Sequence, residues 1–202
     1  MIAMIDYDAG NLKSVEKALA ALGEKPVVSR DRKTILSADK VILPGVGAYG
    51  DAMEKLRQYE LVDVIREVAE KGTPFLGICA GLQLFFDSSE ESGGVNGLSL
   101  LPGKIVRFPD TPGLKVPHMG WNSLDIKPGA RLFQGIDSGA YVYFVHSYYL
   151  ETDQESDVAA FSEYGVTFAA SVERGNLFAC QFHPEKSGDT GLKILKNFIE
   201  LT

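Results

Sequence analysis

The chain has little with which to build a covalent or metal-centred framework. Only two cysteines, Cys79 and Cys180, and three histidines, His118, His146 and His183, occur in 202 residues. Two thiols are too few for a disulfide scaffold. The histidines show no zinc-type spacing with each other or with cysteine, so no metal and no cofactor are expected. Cationic residues are scarce as well: 20 Lys and Arg stand against 27 Asp and Glu, a net charge of -7. That balance argues against a nucleic-acid or anionic-membrane surface, which needs clustered base. No apolar run approaches the roughly 18 residues of a membrane helix. Met1–Asp6 reaches an acid almost at once with no basic lead, so no leader is expected and a cytoplasmic protein with free thiols is the expectation. No Gly-x-x-x-x-Gly-Lys-Ser/Thr loop offers a means of using ATP.

What is present is ordinary globular material, 45% hydrophobic and 23% charged. The length suits one sizeable domain over 1–202. The first half alternates strand and helix. Met1–Asp6, Val27–Ser29, Lys40–Leu43 and Phe75–Ile78 read as short apolar strands. Leu12, Val15, Ala18, Leu19 and Leu22 share one helical face ahead of Gly23, and helical material runs from about Asp51 to Lys71 ahead of Gly72. Ala80–Phe86 restarts a helix directly after Cys79. This alternation predicts an α/β fold of three layers, a mostly parallel central sheet with helices on both faces.

The second half changes period. Lys104–Phe108, Asn122–Ile126, Tyr141–His146, Val158–Phe161, Val166–Val172 and Leu177–Phe182 are short runs rich in Val, Tyr and Phe. They predict a smaller antiparallel or mixed extension joined to the same sheet. Leu192, Leu195, Phe198 and Ile199 mark a closing helix, and Ser88–Gly97 is the expected exposed loop.

Three local patterns carry chemistry. Gly77-Ile78-Cys79-Ala80-Gly81 joins a strand to a helix. A nucleophile on such a tight turn needs small neighbours, and the helix N-terminus favours thiolate over thiol. The pentapeptide alone reads equally well as a buried core cysteine. The run Leu177–Phe182 leads into His183-Pro184-Glu185. Pro184 favours extended backbone, which lets residues 183 and 185 point to one side, so Glu185 can orient an imidazole base for a nucleophile. The loop Pro44-Gly45-Val46-Gly47 has two glycines that can turn an N–H toward an oxyanion, with the Ala80 N–H as a second donor. Gly45–Gly50 also spells G-x-G-x-x-G, yet it follows the third strand, and Asp63, the acid at the right distance for a ribose, lies within a helical pattern.

With these elements in place, the sequence resembles the class I, triad-type glutamine amidotransferases over its whole length. The resemblance rests on Ile5–Leu12, on Pro44–Met53, on the elbow with Gln83, on Pro117-His118-Met119-Gly120-Trp121-Asn122, on Val145-His146-Ser147-Tyr148-Tyr149 and on His183–Ser187. It implies Cys79 as nucleophile, His183 as base and acid, and Glu185 as orienter. It implies oxyanion donors at Val46, Gly47 and Ala80, and glutamine held by Gln83, Ser147 and Tyr148. It further implies a separate cyclase subunit of (β/α)8 barrel type that receives the ammonia in histidine biosynthesis. Asn11, Trp121, Asn122 and Lys186 match positions facing that subunit. Asp8 stands where the family often has Gly, and Tyr49 where Phe is common. Read without the resemblance, Met119 and Trp121 fit ordinary core, Tyr143, Tyr148 and Tyr149 fit strand packing, and Lys186 fits a solvated charge. Two other readings share the elbow: a glutaminase of pyridoxal phosphate synthesis, against which Met119–Asn122 argues, and a stand-alone cysteine hydrolase. A non-catalytic binding subunit is disfavoured by the intact Cys, His and Glu.

Overall fold

A computed structural model describes residues 1–201. The first half runs β1 (Ile2–Ile5), α1 (Leu12–Ala21), β2 (Val27–Ser29), α2 (Arg32–Leu36), β3 (Lys40–Gly45), α3 (Tyr49–Gln58), α4 (Leu61–Glu70), β4 (Phe75–Cys79) and α5 (Ala80–Leu84). The second half continues with β5 (Ser88–Ser89), β6 (Lys104–Arg107), β7 (His118–Ser123), β8 (Asp125–Ile126), β9 (Tyr141–His146) and β10 (Tyr148–Glu151). It closes with β11 (Val158–Glu163), β12 (Thr167–Arg174), β13 (Leu177–Cys180) and α6 (Gly188–Glu200).

The main sheet has the order β2-β1-β3-β4-β13-β12-β10-β6-β5, with β11 and β8 branching from β12. Strands β2, β1, β3, β4 and β13 are mutually parallel, and β12, β10 and β6 join antiparallel. The period of two along β1 divides the core. Ala3 and Ile5 face one cluster with Met53 and Leu56 of α3 and Leu61, Val64, Ile65 and Val68 of α4. Ile2 and Met4 face the other with Val15 and Leu19 of α1 and Ile194, Leu195 and Phe198 of α6. Helices therefore cover both faces, the predicted three layers. Each such buried aliphatic side chain contributes about 1.5–3 kcal/mol against exposure, so these stripes rather than helix propensity hold the layers.

Three expectations change, and one helix appears where none was expected. The helical stretch Asp51–Lys71 is two helices, because Glu60 takes a left-handed φ of 55° and turns the chain between them. No glycine announces that break. Helix α2 is too short for periodicity to reveal; Asp31 caps it by accepting from Thr34 N at 2.9 Å. The run Asn122–Ile126 splits at Leu124, and β7 leaves the main sheet to pair only with β9 in a separate two-stranded ribbon. Ser88–Gly97 is not a free loop: Ser89 is buried, Glu91 Oε2 accepts from Tyr49 N at 2.7 Å, and Ser92 Oγ accepts from Gly50 N at 3.0 Å. The segment supplies the first turn of α3 with the acceptors it lacks.

Candidate active site

The parallel register brings the three sequence patterns to one sheet edge. Gly45 lies opposite Cys79 across β3 and β4, and Cys180 lies opposite Ile78 across β13 and β4. The loop after Gly45 and the segment after Cys180 thus flank Cys79 at the carboxyl ends of the strands, where open α/β sheets place their ligands.

Cys79 itself has φ 54° and ψ -109°, a conformation L-residues rarely adopt. Close backbone packing imposes it. A Cβ on Gly77 would stand 2.7 Å from Gly81 O, and one on Gly81 would collide with Leu43 O. Only glycine at these places lets α5 start against β3 and β4. The thiol then projects at the head of α5, whose first-turn N–H groups have no intrahelical partner.

His183 is buried, and its Nδ1 hydrogen-bonds Glu185 Oε1 at 2.8 Å, with the Glu185 side chain only 1% exposed. The imidazole lines the same cleft as the Cys79 thiol, close enough for the sulfur to act on its protonation. Burial pulls the imidazole's pKa down, but the interactions with Cys79 and Glu185 outweigh it and raise the value to about 9. The backbone is fixed from both sides: His183 N donates to Tyr143 O at 2.9 Å, and Ser187 Oγ donates to His183 O at 2.6 Å.

A cleft of about 320 Å³ opens over Cys79 and His183. Val46, Gly47, Ala80, Gln83, Ser147 and Tyr148 all line it, so every expected oxyanion and glutamine position meets at one cavity. Gly47 has φ +93°, and Tyr7, fully buried, donates its hydroxyl to Pro44 O at 2.8 Å and anchors the root of that loop.

The four expected interface positions differ in character. Trp121 is 56% exposed and Lys186 is exposed, and the Trp121 ring lies near Gly188 beside the Pro184–Lys186 turn. Asn11 is the residue before α1, which packs against that same turn. Asn122 is half-buried and donates to Glu163 O at 2.8 Å. Asp8, one of the unusual positions, is tied to Arg30 at 2.6 Å and to the Tyr59 hydroxyl.

Several site residues escaped the sequence reading. Glu91 and His146 line the cleft, and Gln181 reaches Cys79 Sγ at 3.7 Å. Gln181 carried a signal, a lone amide in the apolar run Leu177–Phe182, two residues before His183. Glu91 carried none, because a long separation in sequence brings it to the cleft. Cys180 is fully buried, and burial pushes its thiol well up, as expected of core. No cluster of metal-ligating side chains occurs among the described residues, nor does any helix there have the length and apolarity to cross a membrane.

The family model for glutamine amidotransferase class-I matches residues 3–201. A Moorella thermoacetica protein, imidazole glycerol phosphate synthase subunit HisH, is 58% identical over 99% of this chain and 94% of its own. The protein of that name from Methanosarcina acetivorans is 54% identical over 99% and 98%. Among solved structures, a glutamine amidotransferase superposes with a TM-score of 0.77 at 20% identity, covering 99% of this chain and 98% of its own. The PurLQS structure from Thermotoga maritima gives 0.74 at 21%, covering 98% and 96%. At such identities the structural likeness speaks for the fold.

Proposed function

From the premise that the chain belongs to the class I glutamine amidotransferase family, we propose that it is the glutaminase subunit of an imidazole glycerol phosphate synthase. It hydrolyses glutamine to glutamate and ammonia and passes the ammonia to a cyclase subunit of (β/α)8 barrel type. There the ammonia reacts with the ribulosyl formimino ribonucleotide PRFAR, giving imidazole glycerol phosphate and the aminoimidazole carboxamide ribotide AICAR. The observation that carries this reading is the buried His183–Glu185 pair sharing one cleft with Cys79, in a chain matched end to end by subunits of that synthase.

In this mechanism the Cys79 thiolate attacks the side-chain amide carbon of glutamine. The oxyanion takes N–H donors from Ala80 and from the Val46–Gly47 loop, and His183, protonated and held by Glu185, gives its proton to the departing nitrogen. Water then attacks the glutamyl thioester with His183 as base. Gln83, Ser147 and Tyr148 hold the amino-acid end of the substrate. Glu91, the one carboxylate lining the cleft among the described residues, suits the α-ammonium.

The test is a glutaminase assay on the chain alone, with the cyclase, and with the cyclase plus its nucleotide ligand. A slow lone chain and a stepwise rise are expected, on the premise that a Val46–Gly47 peptide turns its N–H toward the oxyanion only when the cyclase docks, since lacking one such donor costs about 100- to 1,000-fold. A lone chain as fast as the liganded complex would favour a stand-alone hydrolase.

A further inference from the structure

Two buried histidines have no part in that mechanism. His118 on β7 and His146 at the end of β9 are 3% and 5% exposed, and their rings pack among Phe108, Phe144, Tyr164 and Phe168. A merely apolar packing role needs no imidazole. Yet every ring nitrogen has a partner. Asn122 Nδ2 approaches His118 Nε2 at 3.3 Å, His118 Nδ1 approaches His146 Nε2 at 3.0 Å, and His146 Nδ1 approaches Tyr148 O at 2.8 Å.

The direction of each bond follows from the two ends. A carbonyl oxygen only accepts, so His146 carries its proton on Nδ1 and its Nε2 accepts. His118 must then donate from Nδ1, which leaves its Nε2 to accept from Asn122. The Asn122 amide is oriented independently, because its oxygen accepts from Ser123 N at 2.9 Å and its nitrogen donates to Glu163 O at 2.8 Å. Burial pushes His118 down to about 4 and His146 down to about 3, so both rings are neutral when the enzyme works.

The chain continues beyond Tyr148. The same carbonyl accepts from Gln83 Nε2 at 3.2 Å, and that nitrogen also donates to Gln181 Oε1 at 3.1 Å. Gln181 is thereby forced to present its N–H group, not its oxygen, to Cys79 Sγ at 3.7 Å.

We infer that His118 and His146 are positioning residues: a one-directional hydrogen-bond chain from Asn122 on the β7–β9 ribbon fixes the Tyr148 carbonyl and, through it, the amides of Gln83 and Gln181 beside Cys79. The inference rests on the glutaminase reading for its kinetic consequence and on geometry alone for the tautomers. Neither ring touches the reacting atoms. Their output is the orientation of the Gln83 side of the cleft, so breaking the chain acts on glutamine binding before it acts on the Cys79–His183 pair.

Two substitutions at His118 separate the hydrogen bond from the packing. His118→Phe keeps the ring stack and removes the donor. His118→Asn removes the stack and keeps an amide N–H near the place of Nδ1. In complex with the cyclase, H118F should raise the KM for glutamine about tenfold or more, the scale on which a small misplacement acts, with kcat changed less than about threefold. H118N should hold KM within about threefold of wild type. A wild-type KM for H118F, or equal damage in both variants, overturns the inference. An inactive wild-type complex would instead count against the glutaminase reading. Long-range 15N–1H spectra of the full chain, simple with three histidines, need neither activity nor a variant. Protonated Nδ1 and bare Nε2 in both His118 and His146 are expected, and an Nε2–H form of either ring refutes the chain.

Discussion

Replacing Glu185 by Gln keeps the shape of the site and removes one charge. Glu185 Oε1 lies 2.8 Å from His183 Nδ1, and both side chains are shielded from water at 1% and 3% exposure. Unit charges about 4 Å apart attract by about 4 kcal/mol at an effective dielectric of about 20. A neutral amide retains a hydrogen bond of about 1 kcal/mol. The difference, reduced somewhat because a neutral amide is cheaper to bury than a carboxylate, leaves a loss of about 2–3 kcal/mol, or roughly 30- to 150-fold in kcat/KM at pH 8. The alkaline limb should move too. With His183 raised to about 9, the wild-type rate falls as pH passes that value, and without the carboxylate the fall begins nearer neutrality. The sign for stability runs the same way. A raised histidine pKa contributes stability that is complete below the unfolded value of about 6.5 and is lost as pH rises through about 9. The E185Q penalty on unfolding free energy should therefore vanish above that pH. The assay is glutaminase kinetics of the complex from pH 6 to 10, on protein checked by circular dichroism. A loss under tenfold with an unmoved alkaline limb would refute the role given to Glu185.

Cys79→Ala should abolish glutamine-dependent synthesis and leave ammonia-dependent synthesis by the assembled complex largely intact; failure with excess ammonium at alkaline pH would contradict the division between subunits. A glutamine-analogue electrophile should label Cys79 and spare Cys180, which is fully buried with its thiol pushed up; peptide mapping reads the outcome, and label on Cys180 would sink the nucleophile assignment. Gly81→Ala drives a methyl group into the Leu43 carbonyl and should cost about 3 kcal/mol in urea unfolding; a cost below about 1 kcal/mol would mean the elbow is less tightly packed than its geometry implies.

The sequence by itself determined whatever depends on neighbours along the chain. Alternating strands and helices predicted a parallel sheet because a parallel connection needs a crossover, and the glycines around Cys79 marked a strand-to-helix turn because no other residue fits there. His183 and Glu185 were legible as a pair because only Pro184 separates them, although the backbone over Pro184–Lys186 is a 3-10 turn and not the extended run expected. Tertiary structure decided what depends on register and on long separations. The match of Gly45 with Cys79 across β3 and β4 sets the Val46–Gly47 loop beside the thiol. The return of the chain at 90–92 carries Glu91 to the cleft and caps α3, although nothing in Ser88–Gly97 distinguishes it from a solvated loop. The departure of β7 from the main sheet was equally hidden, since Asn122–Ile126 reads as one strand and only pairing with β9 divides it at Leu124. His118 and His146 lie 28 residues apart. Antiparallel pairing of their strands is what places one imidazole nitrogen against the other, and no local pattern records that register.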